Sequence, residues 1–314
     1  MDGLIVVDKP VGPTSHDVVA RMRRVLGERR IGHTGTLDPA ASGVLPLVIG
    51  RATRLARFFD RDVKSYEAEI RLGIETDTYD AAGEPSRPAY DGPLPGQEEV
   101  ERALEAFRGP FLQHPPPYSA KKIAGRRSYT LARLARRAET RGGESVPSTQ
   151  QVPAAVPVTV HSLQLVSRQG AFVCIRLDCT AGFYVRSLAH DLGQRLGTGA
   201  HLSALRRTKS GDLTERDASP LELIASSQAA ALAALVPLSQ MLPRLAAVEL
   251  TGPGAERALH GRDLEPADVV RWVTEGWTRE AGLRHVRLID EEGALLGIGS
   301  ESPGGLLHPF VILG

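Results

Sequence analysis

The sequence predicts an α+β chain, and three patterns carry that prediction. From Tyr66 the residues alternate strictly, with Tyr66, Ala68, Ile70 and Leu72 on one side and Glu67, Glu69 and Arg71 on the other, the period of a half-buried strand. Val18, Met22, Val25 and Leu26 keep helical spacing, as do Val185, Leu188, Ala189, Leu192 and Leu196. Beyond Leu245 short apolar runs at Val286–Ile289, Ala294–Ile298 and Phe310–Leu313, with a turn at Glu291–Gly293, read as a small β-rich unit. The expected division is therefore 1–244 and 245–314.

A chain of 314 residues with 42% hydrophobic content can bury a sizeable core. Its 38 Lys and Arg against 37 Asp and Glu give no global attraction to a polyanion, so any basic surface must be local. Cys174 and Cys179 lie in one apolar segment with neither a zinc spacing nor a disulfide framework, which fits a reducing cytoplasm. Neither a basic leader nor a long apolar run is found, so export and membrane spanning are not expected.

Taken in order, a strand over Gly3–Val7 is followed by Lys9, Pro10, Gly12 and Pro13, and then by a helix that Thr14 or Ser15 caps and Gly27 stops. The glycine-rich stretch Gly32–Gly43 reads as a loop entering a buried strand, Val44–Ile49. A Pro/Gly-rich loop, Pro85–Gly96, precedes a helix over Glu98–Phe107. Next comes a basic run: Lys121, Lys122, Arg126, Arg127, Arg133, Arg136, Arg137 and Arg141, with Tyr129 among them and Glu139 opposing. Such a run suits RNA phosphates and stacked bases, with a solvated helix face as the alternative. Gly142–Pro157 reads as flexible loop, and Val158–Val166 with Ala171–Thr180 as paired strands. Gly182 opens a helix whose first turn holds Tyr184 and Arg186, and an Ala-rich helix covers Ser226–Leu235.

Read singly, the polar residues have ordinary explanations. Asp38, before a proline in a glycine-rich loop, suits a turn or a helix cap. Tyr66 suits a core position, Arg186 an exposed helix face, Tyr184 a helix start, Leu205 the core, and His33 a hydrogen-bonded structural site.

The strings they belong to point elsewhere. Gly3–Gly50, with GLIVVDKPVGPTSHDVV and GHTGTLDPAASGVLPLVIG, resembles the signature of the TruB family of bacterial tRNA pseudouridine synthases. Lys64–Tyr66 resembles its Lys-X-Tyr strand, Pro117–Lys121 (PYSAK) its insertion, and Gly182–Arg186 (GFYVR) and Gly199–Arg207 (GAHLSALRR) two further motifs, so the resemblance spans roughly residues 3–240. It implies a mixed, largely antiparallel sheet flanked by helices, with a cleft across its middle, followed by a PUA-like RNA-binding unit.

The implied activity is isomerisation of uridine 55 in the T-arm loop of tRNA to pseudouridine, without cofactor, metal or guide RNA, by a monomer. Asp38 is implied as the nucleophile, Arg186 as its partner, and Tyr66 as the residue stacked on the base with its hydroxyl near C5. Whether the carboxylate attacks sugar or base stays open. Tyr184 and Leu205 would wall and floor the pocket, Lys9 and Lys64 would border the substrate, and His33 would fill the space vacated by the extruded base. Lys121, Lys122, Arg126 and Arg127, in an insertion over about 114–157, would grip the tRNA backbone. Gly142–Pro157 is longer than the family pattern and lacks its basic residues. A guide-RNA-dependent, dyskerin-like enzyme shares the Lys9–Pro10, Thr14–His16 and Leu37–Pro39 elements and ranks second. A non-catalytic RNA-binding protein would have no need of Asp38, Tyr66 and Arg186 together.

Overall fold

Strand β1 (Gly3–Lys9) leads through helix α1 (Ser15–Leu26) to β2 (Ile31–His33) and β3 (Ala41–Ile49). The structure, a computed structural model, describes residues 1–60, 63–117, 154–273, 285–301 and 306–314, and the backbone of 122–123 and 126–127. Lys121, Tyr129, Arg133, Arg136, Arg137, Arg141 and nearly all of the Gly142–Pro157 loop lie outside the described residues.

The chain continues through α2 (Arg57–Asp60), β4 (Lys64–Leu72), α3 (Gln97–Leu104), β5 (Gly109–Gln113) and the two-residue strands β6 (Lys122–Ile123) and β7 (Arg126–Arg127). Then come β8 (Val156–Gln169), β9 (Phe172–Cys179), α4 (Val185–Arg195), β10 (Ala200–Ser210), β11 (Leu213–Thr214) and β12 (Ser219–Pro220). Two short helices, α5 (Leu221–Ile224) and α6 (Gln228–Ala233), precede β13 (Val236–Pro237). Among the described residues, eleven strands form one sheet with the path β12-β1-β3-β10-β4-β9-β8-β5. Pairing is antiparallel except for β1 with β12 and β3 with β10. This is the mixed, largely antiparallel sheet that the resemblance implies.

A second sheet, β15-β14-β16-β17-β18, is built from β14 (Ala247–Leu250), β15 (Val269–Val273), β16 (His285–Ile289), β17 (Leu295–Glu301) and β18 (Leu307–Ile312), with α7 (Gly252–Leu259) against it. It explains why β1 and β3 are apolar on both faces. Ile5, Val7, Leu45 and Leu47 enter the core with α1 and α4, while Leu4, Val6, Val44 and Val48 pack with Leu295, Ile298, Val311 and Leu313 of the second sheet. Strand β4 keeps the alternation read from the sequence, burying Tyr66, Ala68, Ile70 and Leu72.

Local chemistry sets the ends of α1. Thr14 Oγ1 accepts from Asp17 N at 3.0 Å and Asp17 Oδ2 accepts from Thr14 N at 2.9 Å, a reciprocal capping box, and Gly27 closes the helix at φ 65°. The helix expected over Glu98–Phe107 is α3 followed by a 3-10 turn, Glu105–Phe107. The GAHLSALRR segment, whose residues show no clear period, is β10 at the centre of the sheet. Register shifts at Leu202/Ala204 and Arg207/Lys209 break its alternation, so period two is not visible there.

Candidate active site

Asp38 stands in the loop between β2 and β3, clamped at alternate residues by the N-terminal segment. Ser15, buried at the start of α1, accepts from Leu37 N at 2.9 Å and donates to Leu37 O at 3.1 Å. Gly12 N donates to Pro39 O at 2.8 Å, and Lys9 Nζ to Ala41 O at 2.7 Å. With Leu37 sunk in the core, the backbone on both sides of Asp38 is fixed while its side chain stays 40% exposed.

Arg186 reaches Asp38 from the first turn of α4, with Nε 2.9 Å from Asp38 Oδ2. The guanidinium is itself buried, and its Nη1 donates to Thr78 O at 3.1 Å and lies 3.5 Å from Asp80 Oδ2. Asp80 is buried, and its Oδ1 accepts from Thr78 Oγ1 at 2.6 Å and Ala82 N at 3.1 Å. One arginine thus bridges a half-exposed and a buried carboxylate. The loop carrying Asp80 is held by a second contact one turn along α4. Tyr79, in the left-handed region at φ 64°, stacks on His190 with ring centroids 3.8 Å apart and planes at 11°. Burial pushes the His190 imidazolium down, which favours the neutral, stacking ring.

The start of α4 is fixed by Gln113 at the end of β5. Its side-chain amide accepts from Tyr184 N at 2.8 Å and donates to Tyr184 O at 2.9 Å, and Ser187 Oγ donates to His114 O at 2.8 Å. Tyr184 therefore caps α4 with its backbone held and its ring beside the cleft.

Asp38, Tyr66, Tyr184, Arg186, Leu205 and Arg207 line one cleft of about 280 Å³. Tyr66 on β4 lies opposite Arg207 on β10. Burial pushes the Tyr66 hydroxyl up, and the positive charge of the neighbouring Arg207 pulls the other way. Arg207 is fully buried, donating through Nε to Val44 O at 2.7 Å and through Nη2 to Gly35 O at 3.1 Å. Close packing beneath it needs a glycine: a Cβ on Gly43, at φ 102°, would stand 2.2 Å from Arg207 O.

Three further residues of the motifs take the following positions. Lys9 turns its ammonium inward, to Pro10 O at 2.8 Å and Ala41 O, where burial lowers its pKa to about 8. Lys64 borders the cleft, yet its Nζ donates to Phe59 O at 3.0 Å and Ser210 Oγ at 2.9 Å. His33 lies at the end of β2 outside the cleft lining, edge-on to His16 at 5.4 Å and 81°, its Nδ1 buried without a hydrogen-bond partner among the described residues. Of the backbone-gripping set, Lys122 pairs with Arg127 across β6 and β7, and Ile123 with Arg126.

Asp80, Arg207 and Gln113 escaped the sequence reading. A glycine-bounded acidic loop, Gly73–Gly83, was the signal available for Asp80, and the second arginine of LRR for Arg207. Among the described residues no group of three or more His, Cys, Asp and Glu is arranged to hold a metal, and no helix is long and apolar enough to cross a membrane.

Residues 23–185 match the TruB family pseudouridylate synthase N-terminal domain, and residues 186–242 the tRNA pseudouridylate synthase B C-terminal domain. The tRNA pseudouridine synthase B of Solibacter usitatus (strain Ellin6076) is 43% identical over 315 residues, covering 100% of both chains. That of Aquifex aeolicus (strain VF5) is 37% identical, again over 100% of both. A solved Cbf5-Nop10-Gar1 complex aligns with TM-score 0.67 and 27% identity over 95% of this chain and 78% of that one. An H/ACA RNP bound to a substrate RNA containing 2'-deoxyuridine shares the fold, with TM-score 0.70 and 24% identity over 99% of this chain and 85% of that one. Matched along its whole length and through both family domains, the chain belongs to the TruB family of pseudouridylate synthases.

Proposed function

We propose that this protein is a tRNA pseudouridine synthase that isomerises uridine 55 of the T-arm loop, with Asp38 as the nucleophile. The observation that carries this reading is the Arg186–Asp38 pair at the cleft: an accessible carboxylate held by a buried arginine, within one cleft with Tyr66. Relatives matched along their full length are tRNA pseudouridine synthases B, which supports a tRNA substrate.

The reaction breaks the bond from ribose C1′ to uracil N1 and forms one from C1′ to C5. The C5 proton is lost and N1 gains one, so atoms balance with no electron transferred. Asp38 provides the ionised nucleophile, its loop fixed so that little reorganisation is needed. Tyr66 stacks on the base and takes part in removing the C5 proton. Tyr184 and Leu205 confine the detached uracil, and Arg186 and Asp80 keep the carboxylate oriented. Lys9 and Lys64 support the loop and the strand around the site. His33 stacks beside His16 in the gap that the extruded nucleotide leaves. Lys121, Lys122, Arg126 and Arg127 contact RNA phosphates, and residues 245–314 form a PUA-like RNA-binding domain after a catalytic domain over 1–244. The enzyme acts as a cytoplasmic monomer.

The likeness to Cbf5 structures raises a second reading, in which a guide RNA selects the uridine. Mapping pseudouridine in tRNA transcripts incubated with the purified protein alone decides between them. Modification confined to the T-loop uridine is expected. RNA binding without any product would overturn the catalytic reading, and activity that requires an added guide would favour the second.

A further inference from the structure

Helix α1 and strand β2 form a hairpin whose two free ends meet beside the catalytic loop, where His16 stands edge-on to His33. Its turn, Gly27–Arg30, lies away from that pair by about 12 Å along the helix, at roughly 1.5 Å per residue from His16 to Arg24. Charge gathers at this far end: Arg23, Arg24, Arg29 and Arg30, all exposed, against Glu28. Arg23 donates through one nitrogen to Ile31 O at 2.7 Å, which ties the helix to the strand. Glu28 accepts from Arg30 N at 2.8 Å, and Arg30 Nε lies 4.0 Å from it with its side chain 64% exposed. The side chains of Arg24 and Arg29 have no hydrogen-bond or ion-pair partner among the described residues. On α1, His16, Ala20 and Arg23 share the exposed face turned toward β2, and Ala20 leaves the path between the histidines and the arginines low.

Apart from the Arg23 tie and the long Arg30–Glu28 contact, this charge is unanswered among the described residues. Arg21, the neighbouring arginine, is instead taken up by Glu222 in a two-pronged pair. Four exposed guanidinium groups at one tip, in a chain whose net charge is only +1, form a local positive site of the kind that phosphate oxygens occupy. The base of the hairpin adjoins the Asp38 loop: Ser15, next to His16, is hydrogen-bonded to Leu37, and His33 leads into that loop. We propose that the α1–β2 tip is a second phosphate-contact surface for the substrate RNA, separate from the basic insertion, and that Arg24, Arg29 and Arg30 hold the sugar–phosphate backbone flanking the target nucleotide. The proposal rests on the RNA-modifying reading above.

The test uses the full-length protein and an unmodified tRNA transcript. Binding is measured across a salt series for wild type, the triple variant Arg24→Ala, Arg29→Ala, Arg30→Ala, and the triple variant Arg24→Lys, Arg29→Lys, Arg30→Lys. The alanine triple should bind more weakly, with a salt slope lower by about 1 for each arginine that holds a phosphate. Its single-turnover rate at saturating RNA should match wild type, and the lysine triple should keep most of the slope. An alanine triple with wild-type affinity and slope would overturn the proposal, as would equal loss of slope in the lysine triple. If wild type binds this RNA but makes no pseudouridine, the catalytic reading fails while the slope comparison still judges the surface. If wild type binds no RNA, both fail.

Discussion

Two sets of buried cations lie in and around the cleft, and they differ in what answers them. Arg186 faces carboxylates, Asp38 at 2.9 Å and Asp80 at 3.5 Å. Lys9, Lys64 and Arg207 face mainly backbone carbonyls, those of Pro10, Ala41, Phe59, Val44 and Gly35. A carbonyl partner fixes where the chain runs, whereas a carboxylate partner governs the charge and orientation of a reacting group. Damage to the first set should therefore be read in stability and damage to the second in rate. The sequence alone could not separate them, because a lysine in a family motif looks the same in either set.

The sharpest break of this comparison is Asp38→Asn. An amide cannot act as the nucleophile, so turnover should fall by on the order of 10⁴ or more with RNA binding retained. Near-normal product by nucleoside analysis would remove Asp38 from the chemistry. Next in size, Tyr66→Phe keeps the ring and its packing. If the hydroxyl helps remove the C5 proton, the single-turnover rate should drop by roughly 10² to 10⁴, and a C5-deuterated uridine should then show an isotope effect. Wild-type rates would return Tyr66 to the core as a packing residue.

Asp80→Asn tests whether the buried carboxylate acts through Arg186. It leaves a hydrogen-bonding group of the same shape, so the protein should fold, yet a charge-assisted contact worth about 1.5 to 3 kcal/mol is weakened. Converted at about 1.4 kcal/mol per tenfold, a loss of roughly 10 to 100-fold in single-turnover rate is expected at unchanged RNA affinity. A melting point lowered with the rate intact would place Asp80 in the structural set.

The smallest effect concerns Lys9 and belongs to stability alone. Burial lowers its pKa from 10.5 to about 8, with Asp38 pulling upward and Arg207 adding to the decrease. The folded protein thus binds this proton more weakly than the unfolded chain, so the charged Lys9 costs stability below about pH 8 and the cost fades as pH rises toward 10.5. Denaturant midpoints of wild type should accordingly gain on those of Lys9→Met between these values. A gap that stays constant with pH would show that the Lys9 proton does not couple to folding.

Much of the frame was legible because local chemistry writes it. Thr14 and Gly27 bound α1 as their types require, and β4 shows its period because only one face is covered. The strand β10 was hidden because its bulges disturb the alternation that a strand is recognised by. In the site, the motifs named residues that do share one cleft, yet they gave no direction to the side chains. Lys9 points inward because the loop around Asp38 has carbonyls to satisfy there, a need that arises only once β1 and the loop are side by side. Asp80 joins Arg186 across a separation of 106 positions in the chain, through a loop held by the Tyr79–His190 stack, and no local pattern encodes such a meeting.

Gly43 carries no chemistry, yet even the smallest side chain there would collide with the Arg207 carbonyl oxygen, at 2.2 Å from the would-be Cβ. In a genetic screen for inactive alleles it should accordingly turn up beside Asp38, although the two fail for unrelated reasons. Sorting such alleles by the amount of intact protein in the cell, before any assay of the reaction, would separate them: Asp38 alleles accumulate as full-length protein, and Gly43 alleles are cleared.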